Sequence, residues 1–123
     1  MNTKLQEILN NERQESVTMV TMGNEKPHIT NTWKSYITVC DEKFIIPVGG
    51  MKTTEENLKI NNEIQISIAS PEVQGFNFLG TGVLITGTAE IKREGSEFDL
   101  IKKSYEWANG ALIVTLNKVT QTL

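Results

Sequence analysis

The stretch Pro47-Val48-Gly49-Gly50-Met51-Lys52-Thr53-Thr54-Glu55-Glu56-Asn57 decides how this chain is read. It leaves an apolar strand, passes through a glycine pair and enters hydroxyl residues that open a helix. Such a bend bares the backbone and aims the first helical amides at an anion, so a phosphorylated ligand is the first expectation. Immediately upstream, His28 to Val39 alternates in a way that predicts one long strand. Ile29, Asn31, Trp33, Ser35 and Ile37 fall on one side, and Thr30, Thr32, Lys34, Tyr36 and Thr38 on the other.

Working outward, β-branched and apolar alternation predicts further strands over Ser16–Met22, Phe44–Val48, Ile64–Ile68, Thr81–Ile91 and Ala111–Val119, six in all. Gly82 and Gly87 mark a bulge or a tight bend in the fifth of them, and Ser70–Gly80 reads as a loop. Three short helices follow from capping-box spacings at Thr3/Gln6 and Thr53/Glu56, and from Ser96 with Asp99 three residues on, the last helix ending at Asn109-Gly110. The connections are short and no βαβ repeat is present. The expected class is mainly β, a six-stranded antiparallel barrel with flanking helices, forming one domain over 1–123.

Composition narrows the chemistry. The 123 residues are 38% apolar and 22% charged, with a formal net charge of −3. Lysine and arginine are scattered, which argues against nucleic acid as a partner. One cysteine, Cys40, and one histidine, His28, leave no metal-ligand set and no internal disulfide. No segment reads as a signal peptide or membrane span, so a cytoplasmic location is expected. There is no Ser-His-Asp set, Cys-His pair or pair of catalytic carboxylates, so no catalytic residue is assigned.

Pro27-His28, Asn31-Thr32-Trp33, Ser35-Tyr36, Pro47 to Met51, Thr54-Glu55, Asn57, Gly80-Thr81-Gly82, Leu84-Ile85, Trp107-Ala108 and Gln121-Thr122-Leu123 together resemble the FMN-binding split barrels. That group includes flavin reductases and pyridoxamine 5′-phosphate oxidases, and the likeness is strongest to its small FMN-binding members from sulfate-reducing bacteria. The resemblance implies a homodimer with FMN in a groove at the subunit boundary. It implies cofactor contacts from Asn31, Thr32 and Trp33, from Pro47, Val48, Gly49, Gly50 and Met51, and from Thr53 and Thr54 at the phosphate. It further implies that Trp107 and Leu123 reach the flavin from the second subunit. The group usually has lysine directly before the phosphate-site threonine. Here Thr53 stands there and Lys52 lies one position earlier, close enough on a helix start to remain a phosphate candidate. Either Glu12 or Glu15 answers to the acidic residue that the group places before its first strand.

The residues fit what FMN requires: an anion site, polar contacts to one ring edge and an aromatic surround. Read alone, Trp33 would pack in a barrel core and Trp107 beneath a helix. The resemblance assigns both to the flavin. With the redox chemistry carried by a cofactor, electron transfer with a protein partner is the leading expectation. The alternative is an NAD(P)H-dependent flavin reductase or related oxidoreductase acting on a small acceptor; a third is a barrel without cofactor. No cation is expected beside the ring's polar edge, which implies a low reduction potential.

Overall fold

Alternating apolar residues give most of the strands a buried side, and hydrogen bonding joins the strands into one sheet. The computed structural model describes residues 1–123, and its antiparallel sheet has seven strands in the order β2-β1-β5-β6-β7-β4-β3. They are β1 Ser16–Met22, β2 Pro27–Trp33, β3 Thr38–Cys40, β4 Lys43–Val48, β5 Glu63–Gln74, β6 Leu79–Lys92 and β7 Gly110–Gln121. Helix α1 covers Thr3–Asn10, α2 Lys52–Ile60 and α3 Ser96–Ser104.

The expected six strands become seven because the strand read over His28–Val39 is two. A single 3₁₀ turn over Lys34–Tyr36 ends β2 and sends the chain to β3 at the opposite edge of the sheet. Laid flat, seven strands would separate those edges by about 29 Å. The few residues between Trp33 and Thr38 reach at most about 18 Å. The sheet must therefore curl until its edges approach, yet β2 and β3 do not pair. The result is a split, unclosed barrel.

The inner face carries the main core: Val17 and Met19, Phe44, Ile46 and Val48, Ile64, Ile66 and Ile68, and Leu112 and Val114 are at most 2% exposed. Leu5 and Ile8 of α1 and Leu58 of α2 plug this core. A second cluster lies on the outer side, where Ile101 of α3 and Ala108 pack on Ile45, Ala111 and Ile113.

Other boundaries differ from expectation for identifiable reasons. The segment read as a loop over Ser70–Gly80 is mostly strand, since β5 and β6 continue past an irregularity between Ser70 and Gln74 that accommodates Pro71. Between Thr86 and Gly87 the register of β6 against β7 shifts, and a Cβ on Gly87 would stand 2.2 Å from the Thr115 carbonyl oxygen. Neither expected capping box forms, and Ser96 is the first residue of α3 and not its cap. Asn2 caps α1 by accepting from the Leu5 amide at 2.9 Å, Met51 precedes α2 and Gly95 precedes α3. Helix α3 stops at Ser104, not at Asn109-Gly110, so Trp107 lies on a loop.

Candidate functional site

The split in the barrel leaves a cleft of about 320 Å³ lined by Ser16, Asn31, Thr32, Trp33, Tyr36, Pro47, Gly49, Met51 and Trp107. Strands β1 and β2, the 3₁₀ turn after β2, the end of β4 with the bend beyond it, and one loop supply these residues. The β1–β2 register pairs Ser16 with Trp33 and Thr18 with Asn31, and Thr18 Oγ1 donates to Asn31 Oδ1 at 3.1 Å. Pro47 and Gly49 come from the end of β4, and Trp107 from the loop after α3. None of the lining side chains is charged. The volume is at the low end of small-molecule sites, about 300–1,000 Å³.

Neither tryptophan is a core residue. Trp33 is 48% and Trp107 52% exposed, a large apolar area left to water unless something flat covers it. Tyr36, Tyr105 and Trp107 form a mutually tilted triad with ring centroids 5.2 to 5.7 Å apart. A Cβ placed on Gly49 would stand 3.3 Å from Cζ3 of Trp107, so the indole lies directly against this glycine.

Met51 joins the cleft to the start of α2, since it lines the one and precedes the other. It adopts the left-handed conformation, φ 57° and ψ 34°, unusual for a residue with a side chain. No side chain caps the first amides of α2, which leaves donors and the positive end of the helix dipole available to an anion. Thr54, in that first turn, is fully buried and its Oγ1 has no hydrogen-bond partner. An orphaned buried hydroxyl next to uncapped amides fits a group with several acceptor oxygens, such as a phosphate.

Two contacts fix the helix in place. Asn57 Nδ2 donates to Thr21 Oγ1 of β1 at 3.2 Å. Arg93 donates to both carboxylate oxygens of Glu55, to Oε1 at 3.1 Å. Its hydrogen bonds hold the Glu55 carboxyl below the ordinary range, against a smaller opposing effect of burial, with the charges of Arg93 and Lys59 adding to the lowering.

The structure thus gathers Asn31, Thr32, Trp33, Pro47, Gly49, Met51 and Trp107 into one cleft, and Trp107, expected from a second subunit, lines the cleft of its own chain because the loop after α3 folds back onto Gly49. Thr54 lies beneath the adjoining helix start, and Gly50 has open space around it. Val48 is fully buried and faces the core, because strand alternation turns it away from the side Pro47 occupies. Lys52 is exposed in the first turn of α2. Thr53 lines a separate polar groove with Lys26, His28 and Glu56. Leu123 lies outside this cleft, at the β5–β6 hairpin, where its carbonyl accepts from Thr81 Oγ1 at 2.7 Å and from the Phe76 amide at 3.3 Å. Of the two acidic candidates, Glu15 directly precedes cleft residue Ser16 and is mostly buried, while Glu12 is exposed. Arg13 Nε is 3.0 Å from Glu15 Oε2, yet that oxygen has no properly directed hydrogen bond.

Tyr36 and Ser16 were not among the expected site residues. Strand alternation puts Tyr36 opposite Trp33, but the 3₁₀ turn breaks the alternation and brings both to the cleft. The Trp33-to-Tyr36 spacing of three was the available signal. Ser16 had none.

Residues 1–120 match the family described as pyridoxamine 5′-phosphate oxidase. The chain is 40% identical over 118 residues to a protein of Nitratidesulfovibrio vulgaris strain Miyazaki F named FMN-binding protein, covering 95% of this chain and 94% of that one. Among solved structures, HupZ of Group A Streptococcus superposes with a TM-score of 0.79 at 20% identity, over 98% of this chain and 93% of the other. An FMN-binding protein of Syntrophomonas wolfei gives 0.73 at 19%, over 98% and 84%. At those identities the structural likenesses speak for the fold.

Proposed function

Because the chain belongs to the pyridoxamine 5′-phosphate oxidase family, we propose that its cleft seats FMN and that the protein is a homodimeric redox carrier. The observation that carries this reading is the continuity, through Met51, between an uncharged aromatic cleft and an uncapped helix start with an orphaned hydroxyl. FMN combines the same two parts, a flat apolar ring and a dianionic tail. When bound, it supplies electron or hydride transfer that no side chain here can perform.

The residues have separable roles in this reading. Trp33, Trp107 and Tyr36 shield the ring faces and exclude water. Gly49 and Gly50 allow backbone to approach the ring's polar edge, where Asn31 and Thr32 add side-chain partners. The α2 amides and Thr54 hold the phosphate, with Lys52 an exposed cation nearby. Thr53 contributes its amide, since its side chain faces the other groove. With no cation lining the cleft, negative charge on the ring is not favoured, so the reduction potential lies at or below that of free FMN.

The dimer reading draws on a second region. Strand β1 begins pairing with β5 at Val17 and Ile68, so the β5–β6 hairpin extends past the end of β1. Its tip exposes Phe76 at 67%, Phe78 at 80% and Leu79 at 67%, beside Leu123 at 63%. An apolar tip of that kind calls for a covering surface, and Leu123, outside its own cleft, would reach flavin only in a second copy. Replacing Phe78 with Asp should shift the protein toward monomer in sedimentation velocity and weaken FMN retention. An unchanged dimer would contradict this use of the tip.

Anaerobic mixing of the yellow holoprotein with NADH and with NADPH tests carrier against reductase. A flavin band that persists, but bleaches with a chemical reductant, supports the carrier; rapid bleaching by either nucleotide supports the reductase. Oxidation of pyridoxamine phosphate gains no support from the site, because Arg13 and Arg93, the two arginines, stand against Glu15 and Glu55.

A further inference from the structure

We propose that Lys102 is a positioning residue for the flavin site, holding Trp107 as a cleft wall by binding the backbone on both sides of it. The inference rests on the cleft being the FMN seat. Trp107 leans on Tyr36 and Tyr105 and is followed by buried Ala108, whose amide donates to the Tyr105 carbonyl at 3.0 Å, but it stands on an irregular loop and is half exposed, so no ladder fixes its place. The loop is instead held from two directions. Lys102, in the last turn of α3, donates from Nζ to the carbonyl of Glu106 and, at 2.7 Å, to that of Ala108, the residues flanking Trp107. From the other side, the Asn109 amide donates to the Val48 carbonyl at 2.9 Å and Asn109 Nδ2 to the Gly49 carbonyl at 2.7 Å. Asn109 thereby ties the loop to the same strand end that forms the facing wall.

A lysine at a helix C-terminus ordinarily complements the helix dipole. This one reaches beyond the helix to two loop carbonyls, and a charge-assisted bond to each is stronger than a neutral one. Its loss would leave the Glu106 and Ala108 carbonyls without this partner and loosen the ring's seat against Gly49. The bond from the Ala108 amide to the Tyr105 carbonyl and the two Asn109 bonds then remain, all on the C-terminal side of the indole.

Lys102→Met keeps the aliphatic stem and removes both bonds. Apoprotein carrying Trp33→Phe, so that Trp107 is the only indole, should show Trp107 more accessible to acrylamide when Lys102→Met is added, and Lys102→Arg should restore protection. With Trp33 present, Lys102→Met should weaken FMN binding by about tenfold in a fluorescence titration. In a Trp107→Ala background the same substitution should leave FMN affinity unchanged. Asn109→Ala, run through the same cycle, gives a second measure of the loop tether. Unaltered quenching in Lys102→Met overturns the proposal, as does an equal loss of FMN affinity with and without Trp107. If Trp107→Ala alone leaves FMN affinity intact, the assignment of the cleft fails instead, while the quenching comparison still tests the clamp.

Discussion

The cleft has two tryptophan walls built in opposite ways. Trp33 closes a β-strand: it pairs with Ser16 across a regular ladder, and the next amide, that of Lys34, donates to the Glu15 carbonyl at 2.9 Å. Trp107 stands on a loop and owes its place to Tyr36 and Tyr105 beside it, to Lys102 and Asn109, and to the absence of a side chain on Gly49. Both rings are about half exposed. A wall made by a ladder has many redundant supports, whereas a wall made by a loop has few, each of which can be removed singly.

The largest effect should come from Gly49→Val. Its branched side chain would intrude on the Trp107 ring, already 3.3 Å from a Cβ at that position, and overpacking of this kind costs about 1–3 kcal/mol. FMN affinity should fall by roughly tenfold to a hundredfold, read by titration of apoprotein. Gly50→Ala, whose added carbon meets no protein atom within 4 Å, leaves Trp107 untouched, so its loss of affinity should be the smaller of the two and reports only the ring's approach to the backbone. Equal losses in the two variants would mean that the glycine pair acts through its turn and not through contact with Trp107.

A smaller effect is expected on the ladder side. Gln14 Nε2 donates to Ser35 Oγ at 2.7 Å and the Ser35 amide donates to Gln14 Oε1 at 3.1 Å, a side-chain latch just beyond Trp33. Gln14→Ala should change FMN affinity by less than about threefold, because the β1–β2 pairing persists without it. A loss as large as that of Lys102→Met would erase the distinction between the walls.

The smallest effect at neutral pH concerns the anchor below the walls. The Glu55 carboxyl is lowered in the fold by its bonds from Arg93, so the folded state favours its ionised form. This contribution is fully present above the ordinary carboxylate range and is lost as pH falls through the lowered folded-state value. Thermal unfolding of wild type and Glu55→Gln should therefore differ most above that range and converge in acid. A gap that widens on acidification would contradict the sign.

These cases also separate what was legible in the chain from what was not. The strands of the inner face were readable because Ile64, Ile66 and Ile68, or Val17 and Met19, recur with the period of a pleated strand. The glycine-to-helix bend and Trp33 were equally readable, since each lies on or beside a regular element. The division of the long second strand was hidden, because Lys34–Tyr36 alternate as a strand would and only the barrel's curvature breaks them. The capping boxes misled for a related reason. Thr53 has the spacing of a cap, but the left-handed turn at Met51 starts the helix two residues earlier and leaves its amides free. Tyr36, Ser16 and the Lys102 tether depend on contacts between distant elements, and local patterns carry no trace of those.

Titration of the apoprotein with FMN and with riboflavin tests the central claim most directly, because the two ligands differ only by the phosphate. If the aromatic cleft seats the ring and the start of α2 seats the tail, FMN should bind more tightly than riboflavin by about a hundredfold or more, and Thr54→Ala should narrow that gap. Equal affinity for the two ligands, or a gap untouched by Thr54→Ala, would contradict it.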